Sequence, residues 1–261
     1  MRNLKLEIEY DGTNYRGWQI QNNRRHLASG GQTKTIQETI EKVLRKVLQE
    51  KVKLIGSGRT DSGVHALSQA ANFKTNSTLS LEEIQKALNS LLPADISVRK
   101  ITRVASSFHA RYSARSKAYR YFILNSNLPA VFLDKFSWRI PYKLDIGKMR
   151  QAARVLLGRH DFQSFCASGS SAKNTERTVK RISLKAISCK LHPVKGALIS
   201  IDIEADGFLY NMVRNIVGTL VEIGRGKLKE DGLKKILLGQ DRRLAGPTAP
   251  SKGLFLVGVK Y

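Results

Sequence analysis

The stretch Gly58-Arg59-Thr60-Asp61-Ser62-Gly63-Val64-His65-Ala66 places one aspartate on a glycine-bracketed turn, with an arginine two residues before it. The preceding run, Lys51 to Ile55, has strand composition, and Ala66 to Phe73 reads as a second strand, so the loop between them is short and held at both ends. Gly58 and Gly63 permit positive φ angles and close backbone approach, which lets the chain push a lone carboxylate out toward a ligand. Aspartate is also a common turn former. Taken alone, Gly-x-x-Asp-x-Gly reads first as an ordinary hairpin turn, and the rest of the chain has to decide between the two.

Outward from this loop, Leu4, Leu6, Ile8 and Tyr10 alternate with polar residues and predict a first strand ending at Asp11-Gly12. Helical spacing follows at Ile36, Ile40, Val43, Leu44, Val47 and Leu48. A second helix opens at Leu81-Glu82-Glu83 and stops before Pro93, and Ile96 to Val104 returns as a strand. Strand, helix, strand, strand, helix, strand is the split, ferredoxin-like order, in which two helices cover one face of an antiparallel sheet. The second half predicts a strand at Ala118 to Leu124, a helix near Ile146 to Leu157, and strands at Thr178 to Leu191 and Leu198 to Ala205. Helices are then expected at Phe208 to Ile223 and Leu228 to Leu238, before a last strand that starts at Leu254 and runs to Tyr261. No linker rich in Pro, Gly or Ser separates the halves, so element count places the boundary near residues 105 to 115, dividing the chain into 1–108 and 109–261.

The chain has 261 residues, 41% of them hydrophobic, enough to bury a core in one large or two moderate domains. Its 45 Lys and Arg outnumber 21 Asp and Glu, a net charge of +24 that exceeds what solubility needs and points to a polyanionic partner, nucleic acid first. Basic residues recur along the whole length, so the charge belongs to the folded body and not to a tail. Cys166 and Cys189 form no Cys-x-x-Cys pair, and His26, His65, His109, His160 and His192 show no metal-ligand spacing. Neither a disulfide framework nor a metal is expected. Charges in Met1-Arg2-Asn3-Leu4-Lys5 break any signal-peptide core, and no apolar run approaches the roughly 20 residues of a membrane span, so a cytoplasmic protein without a membrane anchor is expected. Gly56-Ser57-Gly58 lacks the spacing of a phosphate-cradling loop and no Gly-Lys-Ser or Gly-Lys-Thr follows it, which argues against nucleotide hydrolysis.

Residues 56 to 66 resemble the signature loop of the tRNA pseudouridine synthase A family, and further blocks match the same family in order. These are Tyr10-Asp11-Gly12-Thr13-Asn14-Tyr15-Arg16-Gly17-Trp18-Gln19, Phe108-His109-Ala110-Arg111 with Lys117-Ala118-Tyr119-Arg120-Tyr121, and His160-Asp161-Phe162 with Ser164-Phe165. Met212-Val213-Arg214-Asn215-Ile216-Val217-Gly218 and Thr248-Ala249-Pro250 before Gly253-Leu254 complete the set. Two departures stand out: Ser62 replaces a common Ala, and Asn22 to Gly31 is longer than usual. The resemblance implies an α+β fold of two ferredoxin-like halves that share a largely antiparallel sheet, with a basic cleft between them. It also implies a homodimer that isomerises uridine to pseudouridine in tRNA, at positions 38, 39 and 40 of the anticodon arm.

That reaction breaks the N1–C1′ bond, turns the uracil and forms a C5–C1′ bond, so it needs a carboxylate and no cofactor. The resemblance and the loop together select Asp61, leaving open attack on C6, attack on C1′, or proton removal at C2′. A carboxylate shielded from water needs a cation to stay ionised, and Arg214, inside an otherwise apolar helix, is the matching residue. Alternation sends Tyr119 and Tyr121 to one face of their strand and Arg120 to the other. The family match selects Tyr119 as the ring against the base, with Tyr121 in the core, and sets Arg59 beside the base and phosphates. His65 is expected to be structural, and Asp11 and Asp161 read as turn or capping residues. Two alternatives remain: a non-catalytic RNA-binding protein, and a pseudouridine synthase acting on another RNA.

Overall fold

The computed structural model describes residues 1–20, 34–170, 172–187, 196–229 and 231–261. The lengthened segment Asn22 to Gly31, His26, Cys189, His192 and the end of the Thr178 to Leu191 run lie outside the described residues. The chain divides into two compact units, one of Met1–Arg115 with Leu256–Tyr261 and one of Ser116–Phe255.

The first unit runs β1 (Arg2–Tyr10), α1 (Ile36–Leu48), β2 (Ile55–Gly56), β3 (His65–Thr75), α2 (Leu81–Leu91) and β4 (Ile96–Val104). β1 lies antiparallel between β4 and β3, with Leu6 opposite Ile101 on one side and Ala71 on the other, and β2 pairs with β3. The period-2 pattern of β1 buries Leu4, Leu6, Ile8 and Tyr10, while α1 buries Ile36, Ile40, Leu44 and Leu48 at helical spacing. Thr35 caps α1 by accepting from the Glu38 amide, and Ser80 and Glu83 form a reciprocal capping box on α2.

One expected strand shrinks to two residues. Lys51 to Ile55 was strand-like by composition, yet the ladder holds only Ile55 and Gly56. The reason lies in α1: Glu41 Oε1 accepts from the Leu54 amide at 2.9 Å and Gln37 Nε2 donates to the Leu54 carbonyl at 3.0 Å. Side chains thus satisfy the backbone that a strand would have used.

The second unit carries β5 (Ser116–Asn125), α3 (Val131–Asp134), β6 (Trp138–Ile140), α4 (Ile146–Ala153), β7 (Gly158–Asp161), β8 (Glu176–Ile187), β9 (Ala197–Ala205), α5 (Met212–Gly224) and α6 (Gly232–Gly239). Its strands follow the order β5-β9-β8-β7, all antiparallel, and β6 pairs parallel with β5. β10 (Leu254–Lys260) closes the chain and joins the first unit from Leu256 onward. α5 is apolar around most of its circumference and correspondingly buried, packing against α4. It starts at Met212 and not at Phe208, because Asn211 takes a left-handed φ of 58°, which the helix interior cannot accommodate. The α+β class and the mostly antiparallel pairing expected from the sequence are what the structure has.

Candidate active site

The loop between β2 and β3 is fixed from beneath and from the side. Beneath it, the buried Ser57 donates its hydroxyl to Gln69 Oε1 at 2.6 Å, and Gln69 Nε2 donates to the Gly58 carbonyl at 3.1 Å. Thr60, also buried, shares a 2.8 Å hydroxyl hydrogen bond with Tyr10. From the side, the Trp18 amide donates to the Thr60 carbonyl at 3.1 Å, while the Gly63 amide (3.3 Å) and Ser62 Oγ (3.1 Å) both donate to the Tyr15 carbonyl. The Ser62 hydroxyl therefore adds one tie between two segments of the same unit.

Close backbone approach makes those ties possible. At Gly17, where φ is +81°, a Cβ would collide with the Thr60 carbonyl and sit 3.0 Å from the Asp61 carbonyl carbon. At Gly12 it would collide with the Val64 carbonyl. Gly12 and Gly17 thus lie backbone to backbone on the loop, at positions where only glycine fits. Of the two bracketing glycines, Gly63 has a positive φ of 73° and Gly58 does not; the expected conformational role of Gly58 is corrected to that of an acceptor for Gln69. Asp61 is half-buried between the buried Thr60 and the exposed Ser62, its carbonyl accepting from the Val64 amide at 3.1 Å, and Arg59 is exposed.

The other acidic and imidazole groups near the loop have local tasks. Asp11 Oδ1 accepts from both the amide and the hydroxyl of Thr13, a side-chain turn. His65 is buried, its Nδ1 3.1 Å from the Gly12 amide and 3.0 Å from Asp11 Oδ1, so it braces the residues that clamp the loop. In the second unit, Asp161 accepts from the Gln163 amide and from Gln240 Nε2.

Tyr119 and Tyr121 both point inward from β5, while Arg120 between them pairs with Asp202 at 2.6 Å. Tyr119 is 8% exposed and meets the Phe208 ring edge-on, with centroids 5.1 Å apart. Tyr121 is fully enclosed and donates its hydroxyl to the Pro250 carbonyl at 2.7 Å. Burial pushes its hydroxyl pKa well above the usual range, against the opposing influence of the Arg214 charge. On the first turn of α5, Arg214 Nε donates to the Ala249 carbonyl at 2.7 Å and its Nη1 to Asn211 Oδ1 at 2.9 Å. Asp61 and Arg59 therefore belong to the first unit, and Tyr119 and Arg214 to the second.

Sequence reading passed over the partners of these residues. Tyr10, Gln69 and Ser57 hold the loop, and Asn215, Arg242 and Thr248 surround the segment that receives Arg214. For Asn215 the available signal was a fully polar side chain at a core position of an apolar helix; Arg242 offers none among 45 basic residues. Among the described residues, no group of three or more His, Cys, Asp or Glu side chains is placed to hold a metal ion, and no helix is long and apolar enough to cross a membrane.

A family model described as tRNA pseudouridine synthase matches residues 8–113 and 152–261. The chain is 48% identical over 261 residues to the tRNA pseudouridine synthase A of Thermoanaerobacter sp. (strain X514), covering all of both chains. It is 47% identical, again over the full length of both, to the tRNA pseudouridine synthase A of Acetivibrio thermocellus. The matched regions include both the Asp61 loop and the Arg214 helix, and the chain belongs to the tRNA pseudouridine synthase family.

Proposed function

We propose that Asp61 is the carboxylate that carries out uridine isomerisation in the anticodon arm of tRNA, with Arg214 as the cation that keeps it ionised. Tyr119 presents its ring to the uracil and Arg59 reaches the displaced nucleotide or its phosphates. The observation that carries this reading is the loop itself: Asp61 follows the buried Thr60 on backbone clamped at Gly12, Gly17, Ser62 and Gly63. So many constraints on one turn serve to aim a side chain, since an unaimed turn would need only its own hydrogen bond.

The atom balance suits a carboxylate with no cofactor. The N1–C1′ bond breaks, C5 bonds to C1′, the C5 proton leaves and N1 regains one, with no change in oxidation state. The carboxylate can hold the fragments as a nucleophile at C6 or C1′, or act as a base at C2′, while the C5 proton passes to solvent and N1 takes one up. The strong positive charge supplies affinity for the phosphate backbone, and binding should weaken steeply with salt, by a log-log slope of roughly 0.7 to 0.9 for each phosphate neutralised. Family resemblance further supports two ferredoxin-like halves with a basic cleft, a homodimeric active species, targets at positions 38, 39 and 40, and a cytoplasmic location.

The test is tritium release from tRNA labelled at uracil C5, followed by mapping of pseudouridine. Release matched by pseudouridine at positions 38, 39 or 40 is the expected result. Release with modification confined to another part of the tRNA would overturn the anticodon-arm assignment.

A further inference from the structure

Among the described residues, the side chain of Arg242 donates only to neutral oxygens. Arg242 Nη1 donates to the carbonyls of Ala245 (3.3 Å) and Gly246 (3.0 Å), and its Nη2 to Asn215 Oδ1 (3.0 Å) and Thr248 Oγ1 (3.1 Å). Thr248 Oγ1 in turn donates to Asn215 Oδ1 at 2.6 Å. Asn215 is fully buried, and its amide nitrogen donates to the Phe165 carbonyl at 2.8 Å, so its orientation is fixed from both ends. Burial pushes the Arg242 guanidinium below its usual pKa. Among the described residues no carboxylate pairs with it. A half-buried cation set on neutral acceptors alone is a costly means of closing a loop.

The fork spans the segment that leads into the Arg214 contact. Residues 245 to 248 receive three of its four bonds, and the next residue, Ala249, accepts from Arg214 Nε at 2.7 Å while its amide donates to the Arg214 carbonyl at 3.1 Å. Asn215, the fourth acceptor, is Arg214's neighbour on α5. The segment also touches the helix directly, because a Cβ on Gly218 would collide with the Pro247 carbonyl. Segment and helix are thereby locked on both sides of one guanidinium.

We propose that Arg242 is a positioning residue: by clamping residues 245–248 to Asn215 it sets the Ala249 carbonyl that aims the Arg214 guanidinium. The proposal rests on Arg214 acting in the reaction as described above. Only a planar fork can serve four acceptors at once, so lysine cannot replace it. Thr248 matters because its hydroxyl accepts from Arg242 while donating to Asn215, a pair of roles that valine, of equal shape, cannot fill.

The experiment compares Thr248→Val, Thr248→Ser and Arg242→Lys in the full-length enzyme, each checked for folding by thermal melting, with kcat and KM measured on tRNA. A mispointed guanidinium should cost Thr248→Val and Arg242→Lys about 10- to 100-fold in kcat, with KM changed by less than about 3-fold, and Thr248→Ser should recover most of the rate. In an Arg214→Met background, Thr248→Val should change the residual rate by less than about 2-fold, because its target is gone. Parental kcat in folded Thr248→Val overturns the proposal, as does an undiminished effect in the Arg214→Met background. Parental turnover by Arg214→Met alone would instead remove the reading of Arg214 itself, whatever the Thr248 variants do. If Arg242→Lys fails to fold, the Thr248 pair decides.

Discussion

Arg214 and Ala249 are joined twice: the guanidinium Nε donates to the Ala249 carbonyl at 2.7 Å, and the Ala249 amide donates to the Arg214 carbonyl at 3.1 Å. One residue thereby fixes both the backbone and the side chain of an arginine on the first turn of a buried helix. A side chain free to snorkel toward solvent would not need that double tie.

Arg214→Met keeps the apolar stem and removes the charge. If the cation keeps the catalytic carboxylate ionised, the acid limb of the rate profile must move to higher pH, since the ionised form is then lost sooner as pH falls. We expect a displacement on the order of 1 to 3 pH units and a large loss of rate at neutral pH. Single-turnover rates from about pH 5 to 9 will measure it, and a near-parental rate on an undisplaced profile would make Arg214 merely structural.

Gly17→Ala should damage the loop without touching Asp61. Alanine at φ +81° is strained, and its Cβ would meet the Thr60 carbonyl, which is backbone and cannot swing aside. The expected cost is about 1 to 3 kcal/mol in stability, with a fall in kcat larger than the unfolded fraction explains. Chemical denaturation and activity on the same preparation separate the two effects.

Tyr119→Phe keeps the ring and its edge-on contact with Phe208, whereas Tyr119→Ala removes both. If the ring face meets the base, the alanine variant should lose on the order of 1 to 3 kcal/mol more than the phenylalanine variant. Equal losses in single-turnover kinetics would transfer the role to the hydroxyl.

Alkaline stability follows from the buried tyrosines. Burial raises the hydroxyl pKa of Tyr10, Tyr15, Tyr121 and Tyr261 above the usual value of 10.0. Above about pH 10 the unfolded chain releases these protons while the folded chain keeps them, so the stability they contribute is intact below that pH and is lost as pH rises beyond it. Melting temperature should fall steeply there. Tyr121→Phe should flatten the fall, at the cost of leaving the Pro250 carbonyl without its donor, worth about 1 to 3 kcal/mol at neutral pH.

Where the sequence was legible, it was because one physical signal dominated. The alternation of Leu4, Leu6, Ile8 and Tyr10 and the helical spacing of Ile36, Ile40 and Leu44 are repeated many times over, and the structure keeps both. Glycine spacing exposed the Asp61 loop, because close approach leaves glycine as its trace. What stayed hidden depended on long-range polar contacts. Glu41 and Gln37 claim the backbone of Leu54, and Arg242 clamps a segment onto Asn215, 27 positions away. Neither contact has a period or a motif. Asn211 could not be read as a helix breaker either, since asparagine tolerates both the helical and the left-handed conformation.

The central claim is that one aimed carboxylate performs the isomerisation, and Asp61→Asn tests it most directly. The substitution keeps size and polarity while removing the nucleophilic charge. Pseudouridine formation and tRNA affinity should be measured on the same purified variant. The account predicts no detectable pseudouridine over hours, with tRNA bound within a few-fold of the parent. Pseudouridine appearing at the parental rate in Asp61→Asn would contradict it.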